Sequence, residues 1–443
     1  MPMRTPDGVE TLVRDGTPEG ITLDYKGDFT NNLDAAKKEL AKDVCAFANA
    51  QGGTLLIGIG QDKATGEPQW PPVGVPRRVN GRQPTDEWIG QALNQNIAQR
   101  VNLTIHPLEL DDSERCVIVI EVPPSPRAPH MVTYQQDNRF YRRYFRRHQF
   151  ESLPAEEYEV REMFQRGLRY ADAVATLLDE RGFLDRRRDS FGQNELTVRL
   201  LEWQHPEQPV TSFVSFLAVP AILTPDALDF SSPTLMRWIQ SCRLGAPPPT
   251  HISIVPDMLR YTLDGVLCTR SATNLNDATD KLTAYMLMER SGYIEYARTG
   301  LIGTDNAGER TYLALTSTLG HYWAFIAWVC ALYREANVTG SFRVYCNVTG
   351  TSGSFLSDFA EGWRDSDIWH PREARNYALD QHLQIMHELP HVEQSEAELE
   401  ELIRQTDIRV EQAYNCSGEP RAFRQPQRTN PNRFDFAKLR YWQ

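Results

Sequence analysis

Apolar and polar positions alternate early in the chain and then change period. Ile21, Leu23 and Tyr25 interleave with Thr22, Asp24 and Lys26, the two-residue repeat of a half-buried strand, which puts Asp24 and Lys26 on one face. Glu19 lies between Pro18 and Gly20, where a regular strand is disfavoured, and is expected to turn in from the preceding loop. Ala36, Leu40, Val44, Phe47 and Ala48 then recur at helical spacing behind a cap at Asn32 or Asp34, with Lys37, Lys38 and Lys42 on the outer face. Gly52-Gly53 offers the positive φ that a tight helix-to-strand turn needs. Thr54 to Ile59 is an unbroken apolar run, the pattern of a strand covered on both faces, and it leads into Gly60-Gln61-Asp62.

Further on, the pattern predicts a helix over 86–101, strands over 103–110 and 115–122, and a rigid extended segment at Pro123-Pro124-Ser125-Pro126. The most basic stretch, Arg139–Arg147, precedes a helix over 154–169 with acidic residues in its first turn. The polar, turn-rich run R-G-F-L-D-R-R-R-D-S-F-G marks a boundary, giving a domain at 1–170, a linker at 171–192 and a second domain at 193–443. That second part shows apolar segments at 211–223 and 251–255, and helices at 277–291, 319–333 and 395–414. It also has a strand at 341–348, so the expectation is α+β with a mixed, largely helical C-terminal domain. No internal repeat is visible.

Bulk properties narrow the function classes. The 443 residues suffice for two or three domains, and 41% hydrophobic with 24% charged content is that of a soluble globular protein. A net charge of -12 excludes indiscriminate coating of nucleic acid but leaves room for a local basic groove. Seven scattered cysteines without a C-x-x-C pair fit reduced thiols in a cytoplasmic setting and offer no zinc ribbon. The first residues, M-P-M-R-T-P-D-G, lack a signal peptide's apolar region. Leu319–Tyr333 is too short to cross about 30 Å of hydrocarbon, so no membrane association is expected.

Glu19, Asp24 and Asp62, with Lys26 beside them, are the sharpest chemical signal. Carboxylates suit a hard divalent cation such as Mg²⁺ or Mn²⁺, which can polarise a phosphodiester, while a lysine can hold the scissile phosphate. The same residues also serve as solvated strand ends or as an ion pair. Asp24-Tyr25-Lys26 satisfies the D-x-K half of a restriction-type nuclease, but that fold wants an upstream strand Asp, and Asp7 and Asp15 lie in poor strand context.

The spacing E-x4-D-x-K, the basic helix, C-A-F-A-N-A-Q-G-G-T-L-L-I-G-I and the following Asp62 resemble the Schlafen-type AlbA-like domain. The resemblance continues through V-I-V-I-E-V-P-P-S-P-R-A-P-H-M-V and Phe140-Tyr141-Arg142-Arg143, over roughly residues 10–165. It implies a metal-dependent RNA endonuclease acting on structured RNA such as transfer RNA, with Glu19, Asp24 and Asp62 as metal ligands. The second of these positions is normally Glu in the family. Two similar lobes surround RNA in vertebrate relatives, which implies a homodimer here, and a stress or phage-defence role follows by analogy alone. The alternative is a non-catalytic DNA- or RNA-binding regulator whose C-terminal domain senses a signal or recruits a partner.

Arg139, Arg142, Arg143, Arg146 and Arg147, interleaved with aromatics, suit phosphate contact and base stacking, and Lys37, Lys38 and Lys42 add charge. A solvated face with buried aromatics has the same pattern. Three weaker motifs are set aside. The glycines at 52, 53, 58 and 60 lack a G-x-x-x-x-G-K-[S/T] loop. His382, His387 and His391 have no zinc-helix spacing, and G-T-S-G-S at 350–354 is a flexible loop rather than a nucleophile elbow.

Overall fold

Strand β1 (Leu23–Lys26) and strand β2 (Gly53–Ile57) are parallel neighbours, with Asp24 opposite Leu55 and Lys26 opposite Ile57. Helix α2 (Leu33–Asn49) connects them, and a shorter helix α1 (Pro6–Arg14) precedes β1. A computed structural model describes residues 5–62, 65–110, 114–136, 139–201, 212–242, 255–256, 258–271, 282–304, 311–357 and 377–416. The chain divides into two compact units, Met1–Ala171 and Asp172–Gln443.

In the first unit α2 is capped by Asn32, whose side chain accepts from the Ala35 amide at 3.1 Å. Gly52 adopts φ of 76°, and a Cβ there would lie 2.6 Å from the Val122 carbonyl oxygen. Gly53 is needed for space: a Cβ would lie 2.5 Å from the Phe47 ring. After helix α3 (Thr85–Asn96), strands β3 (Thr104–Glu109) and β4 (Arg115–Val122) follow. β4 pairs antiparallel with both β2 and β3.

A second sheet contains β5 (Met131–Gln136), β6 (Arg139–His148) and β7 (Glu151–Pro154), with the short strand Ile97–Ala98 at its far edge. Asn49, at the end of α2, ties the helix to this sheet. Its side-chain amide donates to the carbonyls of His130 (2.9 Å) and Phe145 (2.8 Å), and its oxygen accepts from the His130 amide (2.7 Å). The last letter of C-A-F-A-N is therefore a buried crosslink, with its polar atoms satisfied as burial requires. Helix α4 (Glu157–Glu180) begins in this unit and runs well past the expected end at 169.

The second unit corrects the expectation of a largely helical C-terminal domain. Its centre is a seven-stranded antiparallel sheet. In chain order the strands are β8 (Phe213–Pro220), β9 (Met258–Tyr261), β10 (Gly265–Ser271), β11 (Leu282–Glu289), β12 (Ile294–Arg298), β13 (Phe342–Thr349) and β14 (His382–Leu389). In space the order is β9-β10-β11-β12-β8-β13-β14. Helices α6 (Pro233–Cys242), α7 (Leu315–Glu335) and α8 (Glu396–Ala413) bury one face. Helix α5 (Glu195–Leu201) adds Leu200 to the other face, where Val174, Leu178, Phe183 and Phe191 also pack. The stretch expected as a linker thus supplies core side chains. The helix expected at 277–291 is β11 from Leu282 onward. L-T-A-Y-M-L-M-E carries no alternation because both its faces are covered, so period cannot separate strand from helix there. The apolar segment expected at 251–255 lies outside the described residues except for Val255.

Expectations for α7, β13 and α8 agree with the structure, and Ser395 and Glu398 form a capping box at the start of α8. The seven cysteines form no disulfide, and no helix among the described residues is long and apolar enough to cross a membrane. His387 packs under α8, 2.9 Å from the Thr406 hydroxyl. Burial and the nearby Arg409 lower its pKa from 6.5 to about 4. The neutral form is therefore favoured by folding, and that contribution is complete above about pH 6.5 and lost as pH falls toward 4. At about 1.4 kcal/mol per unit, it amounts to roughly 3 kcal/mol across this window. Thermal melts of the His387→Gln variant should show a flatter acid limb between pH 6.5 and 4 than the parent. An identical limb would mean that His387 titrates alike in both states.

Candidate nucleic-acid interface and buried ion cluster

Three elements of the first unit converge on one charged site. β1 carries Asp24 and Lys26 inward on one face, α2 brings Asp43, and β6 brings Arg147. The Asp24 carboxylate receives the Lys26 ammonium and the Arg147 guanidinium, each at 3.1 Å. Lys26 also reaches Asp43 at 3.3 Å. Glu19 turns in from its loop as expected, and its Oε1 accepts from the Tyr25 amide at 3.1 Å. Its carboxyl also lies within hydrogen-bonding reach of Asp24.

The electrostatics follow from burial. Asp24 is 1% exposed, and loss of water, with the adjoining Glu19 carboxyl, raises its pKa against the pull of Lys26 and Arg147. Asp43 is raised for the same first reason, opposed by Lys26. Burial works against the Lys26 charge, but Asp43 and Asp24 outweigh it and hold its pKa above the ordinary lysine value. Arg147 also lies over the Phe47 ring, 5.0 Å from its centroid, and donates to the Gly20 carbonyl at 3.2 Å.

Asp62 takes part in its own loop. Its Oδ1 accepts from the Thr65 amide at 3.0 Å, and its backbone bonds both ways with the loop that returns through Gly66 and Glu67. Among the described residues no three His, Cys, Asp or Glu side chains are grouped to hold a metal ion. A hard cation needs several unengaged oxygens around it, whereas the Asp24 carboxylate already faces two cations. Both of these cations meet the same oxygen of Asp24, Oδ2.

Asp43 was missed in the sequence, although a signal existed. It follows Leu40 by three residues and precedes Phe47 by four, so it occupies a position in the apolar stripe of α2. A carboxylate there must find a buried partner.

The eight cationic residues proposed for nucleic acid separate into two groups. Lys37 pairs with Asp34 at 3.3 Å and Lys42 with Glu39, both on their own helix. Arg146 reaches Glu162 at 2.7 Å and Glu159 at 3.6 Å on α4, and Arg147 is buried. Lys38 sits over the Tyr134 ring at 4.3 Å, and that ring stacks on Tyr141 with centroids 5.1 Å apart. Arg139, Arg142 and Arg143 are exposed, and among the described residues no carboxylate pairs with them.

The fold and these side chains define an α+β domain that exposes an arginine- and aromatic-bearing hairpin beside a buried ion cluster. Residues 19–151 match the family model described as Schlafen, AlbA_2, so the N-terminal part of the chain carries a domain of that family. The match ties this part to a nucleic-acid-related function. No curated protein matches the chain.

The side chains of Arg147 and Asp24 are 1% and 2% exposed, so removing one partner leaves a buried charge uncompensated. Arg147→Ala should destabilise the first unit by about 3–5 kcal/mol. Arg142→Ala should change stability by no more than about 0.5 kcal/mol. Urea melts followed by circular dichroism compare the two, and equal effects would contradict the structural role given to Arg147.

Proposed function

We propose that residues 19–151 bind nucleic acid through the open end of the β5–β6 hairpin, and that the chain acts as a binding protein rather than a metal-dependent nuclease. The division of the β6 arginines carries this reading. Arg146 and Arg147 are engaged by carboxylates of the protein, whereas Arg139, Arg142 and Arg143 face water without such a partner among the described residues. Guanidinium groups match phosphate oxygens in geometry and charge, and the local field, not the net charge of -12, governs the approach of a polyanion. The family match supports the same ligand class. The pairing of Asp24 Oδ2 with both Lys26 and Arg147 supports a structural rather than a metal-binding use of that carboxylate.

Fluorescence anisotropy with labelled RNA and DNA tests this directly. Affinity should fall with added salt, and each alanine at Arg139, Arg142 or Arg143 should reduce the log–log slope by roughly 0.7–0.9. EDTA should leave binding unchanged, and Mn²⁺ should produce no cleavage of transfer RNA. Mn²⁺-dependent cutting that disappears in Asp62→Ala would replace this reading with that of an RNA endonuclease. Absence of any salt-dependent binding would remove both.

A further inference from the structure

Resting on that reading, we infer that Phe140 is a base-stacking platform and that the hairpin takes unpaired nucleic acid in preference to a duplex of equal charge. Side chains along β6 alternate between two faces. One face carries Arg139, Tyr141, Arg143, Phe145 and Arg147, and here Phe145 and Arg147 are buried. On that face Tyr141 is already stacked on Tyr134 and Lys38 covers the latter, so Tyr134 is occupied by both neighbours and one face of Tyr141 is taken.

The other face carries Phe140, Arg142, Tyr144, Arg146 and His148. Its far end is covered by α4, where Glu159 lies 3.0 Å from His148 and Glu162 lies 2.7 Å from Arg146. Tyr144 is half-buried. Toward the hairpin tip the face opens, and there Phe140 is 77% exposed with no aromatic partner among the described residues.

The surroundings of Phe140 decide what it suits. Gln135 stands opposite Phe140 across the ladder and Thr133 opposite Arg142. Arg142 is two residues along the same face, about 6.8 Å away. An apolar ring ringed by polar and cationic groups is a poor protein-docking patch but matches a nucleotide, whose base stacks while its phosphate meets the guanidinium. In a duplex the bases already stack on one another inside the helix, so a ring on a flat ribbon meets none of them. Unpaired bases present a free π-face of any sequence.

The test is anisotropy on the full chain with a labelled oligouridylate, a labelled oligothymidylate and an RNA duplex carrying the same number of phosphates. The parent should bind both single strands more tightly than the duplex. Phe140→Ala should weaken single-strand binding roughly 5- to 150-fold and leave duplex binding unchanged. Phe140→Trp should retain the preference, whereas Arg142→Ala should weaken all three ligands. If Phe140→Ala leaves single-strand affinity intact while Arg142→Ala still weakens every ligand, Phe140 does not stack; the inference then falls and the binding function stands. If Phe140→Ala weakens duplex and single strand alike, the ring supports the surface without reading unpaired bases, and the inference again falls. If the parent binds none of the three, both fall together.

Discussion

Two cations and three carboxylates meet where Asp24, Asp43 and Arg147 are buried, and the first unit is arranged around keeping their charges balanced. Asp24 alone would be a costly buried anion. Lys26 from the same strand and Arg147 from the second sheet compensate it, and Asp43 then compensates Lys26. Burial, with the adjoining Glu19 carboxyl, still raises the Asp24 pKa against the pull of these cations. Because the partners come from β1, α2 and β6, the cluster fixes both sheets relative to the helix. A residue set that reads as catalytic thereby has a structural task.

The second unit solves a different problem, that of a carboxylate set inside its core. Glu295 is fully buried, yet Arg181 lies 2.6 Å away, the Tyr293 hydroxyl donates at 2.8 Å and the Asn194 amide donates at 3.1 Å. The Tyr285 hydroxyl bonds the same carboxylate. Burial and the Glu295 charge push both phenols well above their ordinary range, so they remain donors.

How much the sequence disclosed depended on whether one face of an element stays wet. β1 was legible because Leu23 and Tyr25 alternate with Asp24 and Lys26. β11 was not, because Leu282–Glu289 is covered on both faces and its Leu, Met and Ala residues suit a helix equally well. The basic run on β6 was visible as composition, but its division into free, paired and buried arginines depends on α4 and α2, which local pattern does not reveal. Asp62 followed its apolar strand as expected, yet its direction is set by the turn it forms with Thr65 and Gly66. Long-range placement, not residue type, made the difference in each case.

The β5–β6 hairpin is held at one end only. Its base is fastened by Arg147, Arg146 and the crosslink through Asn49, whereas Phe140 and Arg142 stand clear of other elements. This separates two kinds of selection on neighbouring positions. Substitutions at the base are screened by folding, so few survive whatever the ligand. Substitutions at the tip leave the fold intact, so this part of the surface can vary by a few residues while the scaffold stays fixed.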